Sequence, residues 1–146
     1  MNNTSQDNFS ARDRFAALAA GTRELENGRF KLRKEADYER LLEHIRVHKY
    51  LKNQDLDHVM SDQEAFVSWY EEVYTPLSES LEDFQFETIF RNLTPMELFL
   101  RASDHRFYLQ VESGRYISAD SAVISYGARF APSRLSRTLY RLGLSA

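Results

Sequence analysis

Apolar residues recur three and four apart along most of the chain, and clean two-residue alternation is confined to Arg115–Ser118. A first helix can open after Ser10 and run through Phe15, Leu18, Ala19 and Leu25 to Asn27-Gly28, with Gly21 as its weak point. A basic, irregular link follows over 29–34. Tyr38, Leu41, Leu42, Ile45, His48 and Leu51 then mark one stripe of a helix over 35–53. Ser61-Asp-Gln-Glu64 is a capping box, opening a helix whose face is Phe66, Trp69, Tyr70, Val73 and Leu77. Thr75-Pro76 should kink or restart that helix, because proline has no amide hydrogen and clashes with the preceding turn.

Leu81, Phe84, Phe86, Ile89 and Phe90 form a short apolar stretch without clear periodicity. Thr94-Pro95-Met-Glu97 combines an N-cap, a proline at the first helical position and a glutamate at the third, so a helix should run from there to about Glu112 and stop at Ser113-Gly114. Ser118 caps a further helix through Val123, Tyr126 and Phe130, with Tyr126-Gly127 read as an interruption. Ala131-Pro132 opens a last one containing Leu135, Leu139 and Leu142. The expected fold class is all-α, a compact bundle of five to seven helices. Residues 1–10 are expected to be a disordered tail and 11–146 a single helical domain, with no internal repeat.

The 146 residues suit one domain, and 42% apolar with 28% charged residues is the balance of a soluble globular protein. The absence of cysteine excludes disulfides, thiolate chemistry, iron–sulfur clusters and cysteine-type zinc sites. No run of 18 apolar residues spans a membrane, and Met1–Asn8 has no secretory pattern, so a cytoplasmic protein is expected. The net charge of −3 conceals a strong asymmetry. Residues 54–90 hold many Asp and Glu but no Lys or Arg, whereas 127–146 hold Arg129, Arg134, Arg137 and Arg141 and no acid. Such faces can satisfy each other within one molecule, across a dimer, or on a partner.

His44 and His48 lie one helical turn apart, a spacing that lets two imidazoles reach one zinc or other divalent metal ion, with His105 or Asp104 as a third ligand. His48 also falls on the stripe of Leu41 and Ile45, and His105 lines up with Leu98, Ala102 and Leu109, positions where histidine serves as a hydrogen-bonded core residue. Arg134, Arg137 and Arg141 share one side of the last helix and could contact nucleic-acid phosphates, or simply face solvent or the acidic segment. Trp69, Tyr70 and Tyr74, with Tyr50, form an aromatic cluster that builds core and, where exposed, a partner-binding patch. Adjacent carboxylates such as Glu71-Glu72 and Glu82-Asp83 point in different directions on a helix, so no catalytic residue is assigned. Phosphate-cradling loops and nucleophile elbows are missing from the sequence.

Three segments carry a family resemblance: Tyr38–Tyr50 (with Glu43-His-Ile-Arg-Val-His-Lys-Tyr50), Ser68–Leu77 (with Trp69-Tyr-Glu-Glu-Val-Tyr-Thr-Pro76), and Asp104-His-Arg-Phe-Tyr-Leu109 on through Ser113-Gly-Arg115 to Tyr126. Over about 38–130 the chain resembles a bacterial helical domain of unknown function. That domain is found in the C-terminal part of ParB-like putative transcriptional regulators and of a lipopolysaccharide-kinase-like family. The resemblance implies an all-α module that accompanies a nucleotide-binding or kinase-like domain, and this chain has no room for either. It also places His44, His48 and His105 at positions that match histidines of the family patterns, while Asp104 and Gln110-Val111 depart from them. The leading expectation is a non-enzymatic accessory or regulatory protein-interaction module, its partner another protein or a homo-oligomer. A nucleic-acid-associated regulator and a histidine-based metal protein are the alternatives.

Overall fold

The computed structural model describes residues 9–143, and these are helical without any strand. The expected all-α class holds, with more helical segments than the five to seven expected. Most of the expected N-terminal tail lies outside the described residues; Ser10, inside them, is the N-cap of the first helix. The chain divides into two compact units, one through Tyr70 and one from Glu71.

The first unit holds α1 (Ala11–Ala19), α2 (Arg23–Glu26), α3 (Glu35–Asn53) and α4 (Asp62–Trp69). The single helix expected over 11–27 is broken in two because Gly21 adopts a φ of 87°, a left-handed conformation that ends α1. Thr22 then caps α2 by accepting from the Leu25 amide. The 29–34 link is pinned rather than loose. The Leu32 amide donates to the Tyr38 hydroxyl at 2.9 Å, and Phe30 and Leu32 are buried. The core is aromatic: Phe15 packs against Phe30 at 5.3 Å between ring centroids and against Phe66 at 6.1 Å, and Phe66 lies 5.8 Å from Trp69. Buried Glu24 accepts from the Tyr70 hydroxyl at 2.7 Å, so α2 and the end of α4 share a satisfied polar contact.

A π-helical segment, Tyr70–Tyr74, lies between α4 and α5 (Thr75–Asp83). It is the physical form of the expected kink. Pro76 cannot donate to the carbonyl four residues back and crowds it, and the wider π turn supplies the slack.

The second unit continues with α6 (Phe86–Ile89), α7 (Pro95–Ser113), α8 (Ala119–Phe130) and α9 (Arg134–Arg141). Gln85, at φ 58°, reverses the chain between α5 and α6. Thr94 caps α7 as expected, accepting from the Glu97 amide, and Gly114 ends it at φ 68°. Gly127 does not interrupt α8; it lies inside the helix, where a Cβ would come within 2.4–2.6 Å of the Tyr140 ring. Its missing side chain is what lets that ring lie against the α8 backbone. Tyr140, fully buried, anchors α9 and donates its hydroxyl to the Phe84 carbonyl at 2.7 Å. Leu135 and Leu142 stay exposed. Burial pushes the Tyr140 phenol up to about 12.

Candidate functional site

His48 and His105 each bond a serine of the neighbouring helix, and His44 is half-buried on α3. His48 Nε2 lies 2.8 Å from Ser68 Oγ, tying α3 to α4. His105 Nε2 lies 2.9 Å from Ser125 Oγ, tying α7 to α8. His105 is buried against Tyr108, Tyr126 and Phe130, with centroids 5.7–6.4 Å away. Burial, with a smaller push from Arg129, holds its pKa below the ordinary value of 6.5. Burial and Arg40 do the same to His44, against a weaker opposing pull from Glu43. Among the described residues no three of His, Asp or Glu gather as ligands to one metal ion would.

A serine bonded to a histidine is also the beginning of a nucleophilic dyad. Ser68 and Ser125, however, sit within α4 and α8, where backbone amides close helical hydrogen bonds and cannot turn toward an oxyanion. What the two pairs do is join neighbouring helices.

The two pairs belong to a larger correspondence. Both span 20 residues. The loop after α3 is held by the Met60 amide donating to the Asn53 side-chain oxygen at 2.9 Å, and the loop after α7 by the Ile117 amide donating to the Gln110 side-chain oxygen at 3.3 Å; both span 7 residues. Ser61 caps α4 and Ser118 caps α8, each accepting from the amide three residues on. Buried Ala65 and Phe66 match buried Ala122 and Val123, and Trp69 matches Tyr126. All these pairs stand at one constant interval along the chain. The helix–loop–helix of α3–α4 and that of α7–α8 are thus built alike, which corrects the expectation of no internal repeat. The match lies in packing and capping roles, and few identical residues record it.

The two copies also expose alike. Tyr50 on α3 is 66% exposed and its counterpart Phe107 on α7 is 66% exposed. Leu51 and Tyr108 are 55% and 50% exposed, and Val59 and Tyr116, in the two loops, are each 76% exposed. Val47 adds to the first ridge and Val111 to the second. Scattered exposed apolar residues are ordinary on a protein surface, whereas large ones at equivalent positions of two alike elements are a pattern. In the second copy, Arg106 is fixed over the Tyr116 ring at 5.3 Å and donates to the Ile117 carbonyl at 2.8 Å, which holds the exposed ring in place.

The aromatics expected to meet a partner lie elsewhere. Trp69 and Tyr74 are 0% and 4% exposed and serve as core, and Tyr70 is half-buried with its hydroxyl on Glu24. Tyr50 is the member of that cluster that reaches solvent. Arg134 and Arg141 are exposed on α9, while half-buried Arg137 donates to the Ala131 carbonyl at 2.9 Å. The first unit also contains a groove of about 910 Å³ between α1, α3 and α4, floored by Leu42, Ile45 and Ala65. Its charged rim is partly paired internally, as in Lys49 with Asp62 at 3.0 Å. No helix among the described residues is long and apolar enough to cross a membrane. No family model, no curated protein and no solved structure matches the chain.

Proposed function

We propose that this chain is a non-enzymatic protein-interaction module that presents one docking ridge twice, on α3 and on α7. The supporting observation is the equal exposure of Tyr50 with Phe107, Leu51 with Tyr108, and Val59 with Tyr116 in two alike helix–loop–helix elements. Large side chains left in water at matched positions carry a hydration cost that a partner would remove. The resemblance to a helical module that accompanies nucleotide-binding or kinase-like domains is in keeping with an accessory role.

The test is affinity capture with the wild type, with Tyr50→Ser/Leu51→Ser, with Phe107→Ser/Tyr108→Ser, and with all four changes together. Each double variant is expected to bind the captured partner far more weakly than the wild type, by a similar factor, and the quadruple variant to bind none. Circular dichroism should be unchanged, because these side chains are exposed. Undiminished capture by the quadruple variant contradicts the reading.

A further inference from the structure

The end of α8 carries a surface that the first unit lacks. The His105 ring sits between Tyr108 and Phe130: its centroid is 6.4 Å from that of Tyr108, with the planes 26° apart, and 5.9 Å from that of Phe130, with the planes at 86°. Tyr108 and Phe130 are both half-exposed, so two rings braced by one buried imidazole reach solvent side by side. Cations border them. The Arg129 guanidinium lies over the Phe130 ring, 5.4 Å from its centroid. Arg137 Nη1 donates to the Ala131 carbonyl at 2.9 Å, which holds a second guanidinium beside the residue that follows Phe130. Arg134, exposed, opens α9 four residues after Phe130. No carboxylate among the described residues pairs with Arg129 or Arg134. Asp104 and Glu112 stand a turn to either side of Tyr108 on α7, so the positive charge lies on the α8–α9 side of the rings. On the interval that relates the two helix–loop–helix copies, Arg129 answers to Glu72 and Phe130 to Val73. The first unit therefore has an acid and a small aliphatic residue where this one has a cation and a ring.

We infer that Tyr108 and Phe130, with Arg129 and Arg134 beside them, form a binding site for single-stranded nucleic acid. Exposed rings take the faces of unpaired bases, and guanidiniums next to the rings take the phosphates that link those bases. An apolar protein surface would cover the rings but strand the arginines, and a simple anion would pair the arginines but leave the rings in water. A strand of nucleotides satisfies both at once. A duplex does not, because its bases are already stacked on one another and offer only phosphates. The site is independent of the docking ridges, and Tyr108 is the residue that borders both.

The experiment is fluorescence anisotropy of the full chain with a labelled oligothymidine of about 12 nucleotides, an abasic strand and a duplex of the same length, in about 0.05 M and about 0.2 M NaCl. The wild type is expected to bind the thymidine strand at least about fivefold more tightly than the abasic strand or the duplex, and less tightly in the higher salt. Phe130→Leu, which keeps apolar volume without a π-face, is expected to weaken binding at least about fivefold, and Phe130→Tyr to leave it unchanged. Arg129→Gln/Arg134→Gln should weaken binding and flatten its dependence on log salt by about 0.7 per arginine. Tyr50→Ser/Leu51→Ser, on the α3 ridge, should bind the strand as the wild type does. No binding in the lower salt, equal binding of the abasic strand or the duplex, undiminished binding by Phe130→Leu, or a loss in the α3 variant overturns the inference. Should Phe130→Leu fail to fold by circular dichroism, ultraviolet crosslinking of the wild type to the thymidine strand decides instead. An adduct at Tyr108 or Phe130 is then the expected result, and adducts only at other residues overturn the inference.

Discussion

Gly127 and Tyr140 show how much of the second unit rests on one missing side chain. A Cβ at 127 would press on the Tyr140 ring at 2.4–2.6 Å, so Gly127→Ala trades better helix propensity for overpacking. We expect it to destabilise by about 1–3 kcal/mol in urea unfolding, and Gly127→Ala with Tyr140→Ala to recover part of that overpacking cost. The Tyr140 phenol, pushed up to about 12, favours the neutral form in the fold. Stability linked to it is therefore complete below the unfolded value of about 10 and lost as pH rises from there through the folded value. Tyr140→Phe should flatten that alkaline loss. The histidines act at the other end of the scale. His105 and His44 both titrate below 6.5, so the unfolded chain binds more protons in mildly acidic solution. Thermal stability is expected to be level from about pH 7 to the alkaline loss set by Tyr140, and to fall as pH drops below about 6.5, with a shallower fall in His105→Gln.

At the scale of elements, caps and periodicity were legible in the sequence. The α3 bounds follow its apolar stripe, and the Ser61, Thr94 and Ser118 caps and the Gly114 stop appear where side-chain chemistry puts them, because these signals act within one turn. Long-range roles were not legible. Nothing local distinguishes Tyr140 from Leu135 or Leu142 as the anchor of α9; the choice depends on the space above Gly127. The aromatic cluster is visible in the sequence, but which of Trp69, Tyr70, Tyr74 and Tyr50 reaches solvent depends on packing. The repeat was hidden for a related reason. Asn53 with Met60 and Gln110 with Ile117 perform one bond with different residues, while the Ser61 and Ser118 caps and the His48–Ser68 and His105–Ser125 pairs perform theirs with the same ones. If the helix pairs are equivalent, their latches should have similar strength. Double-mutant cycles on His48→Ala/Ser68→Ala and on His105→Ala/Ser125→Ala are expected to give couplings of about 0.5–1.5 kcal/mol each. A coupling near zero in one pair and not the other would argue against the equivalence.

Across the whole molecule, the proposed function requires that each ridge meet the same kind of partner element. The direct measurement is site-specific photocrosslinking, with a photoreactive phenylalanine placed at Tyr50 in one sample and at Phe107 in another, followed by mass spectrometry of the adducts. Both positions are exposed to the same degree, so neither favours capture by accessibility alone. Both positions are expected to crosslink to the same partner protein, at the same or equivalent segments of it. Adducts to unrelated proteins at the two positions, or an adduct at one position with none at the other, would contradict it.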